Sequence, residues 1–245
     1  MRCALILFCF FLFVREGFGQ ALVFRPVVGH KKPEWDTKEY LSAVGERWHF
    51  SLLSFYLSDF SWYGRRKTAE MAESPDSGSR LEVHQPQRVE LLQFGPETDS
   101  LRLEAPFSAK RVCFRIGLDS ATQVSGRTDG ALDPALGMYW AWNTGYIQCR
   151  LEGFSPDSKG KKGRFEFHIG GYARPYACDT RVCLNFEEAV LGPVFVDLKS
   201  FSDAVSLKKY GSVLTPGPEA FFLAGHLPAM FRTSEKIPAG LPEKK

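Results

Sequence analysis

Five histidines are the first residues to weigh: His30, His49, His84, His168 and His226. No HxH or HExxH pair occurs, so the chain carries no self-contained zinc motif. Any metal site must be assembled across separate strands. Imidazole suits copper, and Cu(I) accepts low coordination numbers with soft donors. His168 is the leading ligand candidate. It lies in Arg164–Gly170, where Phe165, Phe167 and Ile169 alternate with Arg164, Glu166 and His168. Successive strand side chains point to opposite faces, so the imidazole projects from the polar side. The same pattern fits an ordinary hydrogen-bonded surface histidine. His49 is a second ligand if its strand neighbours that of His168; otherwise it reads as a core histidine beside Trp48. His226 ranks third. His30 and His84 sit in polar segments and read as exposed.

Oxygen donors gather around a long loop: Asp119, Asp129 and Asp133, with Ser120, Ser125 and Asn143. Calcium takes about 6–8 oxygens, and the spacing is not that of an EF-hand. Asp129-Gly130 and Asp133-Pro134 are also turn signals. Calcium here would be structural, fixing the Met138–Trp142 segment. Trp140 and Trp142, two residues apart, share one strand face and could form core or an aromatic shelf. No GxSxG elbow, P-loop or GxGxxG occurs and no carboxylate pair stands out, so the reading is a binding protein rather than an enzyme.

The elements that position these groups follow a leader. Arg2, the apolar run Cys3 to Val14, and small Gly17 and Gly19 read as a secretory signal over residues 1–19. No later stretch reaches the roughly 20 apolar residues of a spanning helix. Removing the signal takes two arginines and one glutamate from a net charge of +3. That balance indicates no nucleic-acid partner, and Lys159–Lys162 and Lys208–Lys209 read as solvated loops. Cys3 and Cys9 leave too. Cys113, Cys149, Cys178 and Cys183 remain for an oxidising compartment. Three pairings exist; the short loop favours Cys178–Cys183, with Cys113–Cys149 as the other. A thiolate metal cluster lacks any CxxC spacing.

The remaining chain of about 225 residues suffices for one sizeable β domain, residues 20–232, with a frayed tail over 233–245. Short strands are expected at Ala21–Phe24, Trp48–Leu57, Arg88–Phe94, Leu101–Glu104, Arg111–Leu118, Met138–Trp142, Tyr146–Gly153, Arg164–Gly170, Val182–Phe186 and Val194–Leu198. Separated by turn signals, they indicate an all-β, antiparallel sandwich with long loops and little helix. Trp48–Leu57 is apolar on both faces and should be central. Strict alternation would set Trp48, Phe50, Leu52 and Tyr56 on one face and His49, Leu53, Phe55 and Leu57 on the other. Ser155–Gly163 reads as a loop with a mobile tip, Asp36–Glu46 as a short helix or structured loop, and Arg65–Ser79 as an exposed insertion.

GLDSATQVSG (from Gly117), GALDPALGMYWAWNTGYI (from Gly130), LEGFSP (from Leu151) and FEFHIGG (from Phe165) resemble the core motifs of the MbnP-like domain. FSLLSFYLSDF (Phe50 to Phe60) and LTPGPEAFFLAGHLPAMF (Leu214 to Phe231) extend the resemblance over most of the chain. That family of exported proteins is named for a copper-binding protein associated with methanobactin. The resemblance implies a copper-binding protein of metal acquisition, storage or trafficking, with His168 in the FEFHIGG motif. It also implies a tryptophan oxidised to kynurenine as a further donor, with Trp140, Trp142 and Trp48 as candidates. The implied partner is a di-haem, peroxidase-like cytochrome. The competing reading is a non-metal module that binds carbohydrate or protein on an aromatic shelf of Trp140, Trp142 and Tyr139 or Tyr146. A third is an exported structural domain without a ligand.

Overall fold

The computed structural model describes residues 20–66, 79–107, 109–142, 145–186 and 191–233. The signal segment, most of the Arg65–Ser79 insertion, Asn143 and the tail beyond residue 233 lie outside the described residues.

Two sheets sandwich one large core. The smaller sheet has the order β13 (Phe231–Arg232), β11 (Pro193–Asp197), β1 (Ala21–Val27), β5 (Leu101–Glu104). The larger runs β10 (Thr180–Asn185), β6 (Ala109–Ile116), β3 (Arg47–Arg66), β8 (Gly145–Phe154), β9 (Arg164–Gly170), β12 (Ser212–Val213). On it, β2 (Tyr40–Leu41) and β4 (Ser79–Phe94) pair with β3, and β7 (Tyr139–Trp140) pairs with β8. The all-β sandwich is as expected, but the sheets are mixed: β1 lies parallel to β11, and β9 to β12. Met138–Trp142 forms only the two-residue β7.

The central strand is β3. Its faces are not those of strict alternation. The register skips between Phe50 and Leu52 and again between Ser58 and Phe60, where Asp59 has a φ of 53°. An extra residue reverses which face the following side chains take. Trp48 and Phe50 therefore share the core with Leu53, Phe55, Leu57, Phe60 and Trp62, while Tyr56 joins a second cluster on the other side. Trp48 packs edge-on against Phe165 at 4.9 Å between ring centroids, locking β3 to β9 across β8.

Two short helices, α2 (Leu198–Ala204) and α3 (Pro218–Ala224), bury Phe201, Ala220 and Leu223 in the main core. Asp197 caps α2 by accepting from Lys199 N at 3.0 Å, accepts from Gly29 N at 2.8 Å, and faces Arg232. Asp36–Glu46 is a structured loop containing β2. The tip of the β8–β9 connection is held rather than free: Ser155 N donates to Gly163 O at 2.7 Å, and Asp157 takes a two-pronged contact from Arg47 at 2.9 and 3.0 Å.

The cysteine pairing differs from the sequence expectation. Cys113 of β6 and Cys183 of β10 are register partners, 4.1 Å apart at Cα, and form the disulfide. The expected Cys178–Cys183 and Cys113–Cys149 bridges are not made; Cys149 and Cys178 are buried thiols. Cross-strand register, which shortness of loop does not report, decides the pairing. Among the described residues no helix is long and apolar enough to cross a membrane.

Candidate functional site

On one edge, β3 pairs first with β8, through Phe55, and then with β6, from Leu57. The two neighbours part at Tyr56, and the 117–145 excursion fills the gap. Two carboxamides stitch it in place. Gln148 accepts from Leu118 N at 2.5 Å and donates to Leu118 O at 3.1 Å. Gln123 accepts from Tyr146 N at 2.7 Å and donates to Tyr146 O at 3.3 Å. Tyr56, Leu118, Leu132, Met138, Trp140, Tyr146 and Ile147 form a second small core beneath the excursion.

The three aspartates of that excursion shape turns. Asp119 caps α1 (Ser120–Val124) by accepting from Thr122 N at 2.6 Å, and Asp133 caps the 3₁₀ turn Pro134–Leu136 by accepting from Ala135 N at 2.8 Å. Asp129 pairs with Arg127 at 3.2 Å, which holds its carboxyl below the usual range. Ser125 donates to Thr122 O and Ser120 to Tyr172 O. Among the described residues they gather into no calcium cage.

His168 projects from the outer face of β9, as its alternation predicts. Its Nε2 lies 2.8 Å from Glu152 Oε1, and Arg150 Nε donates to the same oxygen at 2.5 Å. Burial alone would raise the Glu152 carboxyl. The hydrogen bonds and charges of His168 and Arg150 outweigh it and hold the group at about 2. A carboxylate beside Nε2 fixes the ring's orientation, and in the neutral tautomer that donates from Nε2–H the lone pair is on Nδ1, an arrangement that supports metal-ligating histidines. Trp140 is close by. Its ring covers Gly170, where a Cβ would meet it at 2.7 Å. Gly170 and His168 are same-face neighbours, about 7 Å apart along the strand. Trp140 is 5% exposed and Trp142 65%, with ring centroids 5.9 Å apart.

The other ligand candidates lie elsewhere. His49 pairs across with Phe154, which faces Arg164; β8 and four residues of strand separate it from His168. That is about 10 Å across and about 13 Å along. Its Nε2 faces Glu39 at 3.5 Å. His226 follows α3, with its ring 4.8 Å from Phe222, and burial lowers its pKa. Trp48 is on the core face, opposite His168, fully buried. His84 meets Asp59 at 2.6 Å. The described residues thus offer a metal one oriented imidazole, with the Trp140 indole seated two residues farther along β9 over Gly170. Among the described residues no three metal-binding side chains converge.

Trp140, Trp142 and Tyr146 of the expected aromatic shelf line a cleft of about 460 Å³, and sequence periodicity missed its other side, Tyr172, Arg174 and Tyr176. These last three follow β9 in a non-periodic stretch, where only the density of tyrosines could have signalled them.

No curated protein matches the chain. A solved structure, MbnP from Methylosinus trichosporium, superposes with a TM-score of 0.50 at 15% identity, covering 77% of this chain and 78% of that one. At that identity the likeness establishes the fold alone. A family model described as MbnP matches residues 19–212, most of the sequence, and the chain belongs to the MbnP family.

Proposed function

We propose that this protein is an exported copper binder of metal acquisition, storage or trafficking, without catalytic turnover. The observation that carries this reading is the Arg150–Glu152–His168 chain of hydrogen bonds on the outer face of β8 and β9. Glu152 orients the imidazole, Arg150 keeps Glu152 ionised, and Nδ1 is the donor left for a soft, low-coordinate ion. Copper, when bound, is the cargo rather than a reagent. His49, two strands across and four residues along from His168, would not complete this site.

Trp140 is the tryptophan whose position suits a second donor. Indole is a poor ligand; kynurenine offers an aryl amine and a ketone. A di-haem peroxidase-like cytochrome, the partner implied by the family, would perform that oxidation. Titration with Cu(I) against a chromophoric chelator tests the reading on protein starting at Gln20, before and after co-expression with such a cytochrome. Tight binding that His168→Ala abolishes is the expected result, with a mass change of one carbon replaced by one oxygen in the oxidised form. Unchanged stoichiometry and affinity in His168→Ala would overturn the site.

A further inference from the structure

The aromatic cleft has a ligand chemistry of its own, separate from His168. Four stretches line it: Gln123 of α1, Trp140 of β7 and Trp142 with the start of β8, the run after β9, and the turn Thr215–Gly217 ahead of α3. Its volume of about 460 Å³ falls within the range of small-molecule sites. Trp142, 65% exposed, and Tyr176, 42% exposed, stand at its rim, and Trp140 and Tyr146 are buried beneath. The two indole planes meet at 50°. They form a bent wall that a flat ring can enter by stacking on one and meeting the other edge-on.

The polar groups decide what kind of ring. Among the described residues Arg174 is the only cation in the lining, and no Asp or Glu lines the cleft. Among the described residues the Arg174 guanidinium has no ion-pair or hydrogen-bond partner, and the residue is exposed. A guanidinium beside aromatic faces recognises a carboxylate. A sugar would need side-chain groups that bridge neighbouring hydroxyls. Among the described residues the one carboxamide in the lining, Gln123, has both ends bonded to the Tyr146 backbone, and the Tyr146 hydroxyl is shared between Leu132 O and Arg127 O. Among the described lining residues that leaves single hydroxyls on Tyr172, Tyr176 and Thr215, apolar ring faces and one cation, with no free carboxylate or carboxamide to bridge a pair of sugar hydroxyls.

We infer that this cleft binds a small planar aromatic carboxylate, stacked against Trp142 with its anionic group at Arg174. Calorimetric titration of the whole protein with naphthalene-2-carboxylate tests this, with naphthalene-2-methanol as the neutral ring and glucuronate as the non-aromatic anion. The carboxylate should bind, and glucuronate should give no heat. Arg174→Gln should weaken the carboxylate about fivefold, as expected for a solvent-exposed ion pair, and leave the alcohol unchanged. Trp142→Ala should weaken both naphthalenes about fivefold through lost stacking. His168→Ala should leave all three titrations as they are, so that failure here is distinct from failure of the copper reading. No binding of the carboxylate, an indifferent Arg174→Gln, or glucuronate binding at least as well would each overturn the inference.

Discussion

Gln148, fully buried on β8, hydrogen-bonds both backbone groups of Leu118 with its one side-chain amide, taking the place of a strand neighbour where β6 and β8 separate. Gly117 makes room for it: a Cβ there would lie 2.5 Å from the Gln148 oxygen, and its φ of 98° disfavours other residues. Gln148→Leu keeps the bulk but strands a buried N–H and C=O. A loss of about 3 kcal/mol in urea unfolding is expected. Gly117→Ala should act in the same direction by expelling the amide.

The disulfide gives a thiol count that separates pairings. Protein starting at Gln20, unfolded in guanidinium without reductant, should expose two reactive thiols, Cys149 and Cys178. Folded, it should expose none, because burial pushes both thiols up to about 12. Peptide mapping should recover Cys113 joined to Cys183. Replacing both by Ser should cost about 3 kcal/mol in unfolding free energy.

Glu152 should leave a signature in acid. Its folded pKa of about 2 lies below the ordinary 4.5, so its contribution is complete above about pH 5 and disappears as pH falls toward 2. Glu152→Gln should be less stable by about 2 kcal/mol at pH 7, after allowance for solvent screening. The gap to the parent protein should close between pH 4.5 and 2. A constant gap across that window would contradict the pairing with His168.

Gly170 ties β9 to the indole above it. Gly170→Ala would place a methyl 2.7 Å from the Trp140 ring and 3.1 Å from Tyr146 O. The ring must shift, at about 2 kcal/mol of strain. Tryptophan fluorescence should change with the fold retained by circular dichroism.

Alternation made much of this architecture legible. β5 and β9 begin and end where their patterns do, and the outward face of His168 follows from Phe165, Phe167 and Ile169. The face of β3 was not readable, because two added residues reset a period of two without changing composition. The cysteine pairing was misjudged for a related reason: Cys113 and Cys183 are 70 residues apart in sequence and opposite one another in register. At the site, Trp140 could be singled out as a residue type, but its seat over Gly170 is a long-range packing fact. The helices α2 and α3 are only seven residues each, too short for a clear 3.6-residue stripe.

The parting of β6 from β8 at Tyr56 gives the sandwich a fixed chassis and an exchangeable fitting. Residues between Leu118 and Tyr146 contribute no rung to the long ladders of β3. An insertion or deletion there would leave every rung of those ladders in place, provided the anchoring amides of Gln123 and Gln148 keep their hold. Descendants of one shell could thus acquire differently shaped mouths while inheriting the same hull.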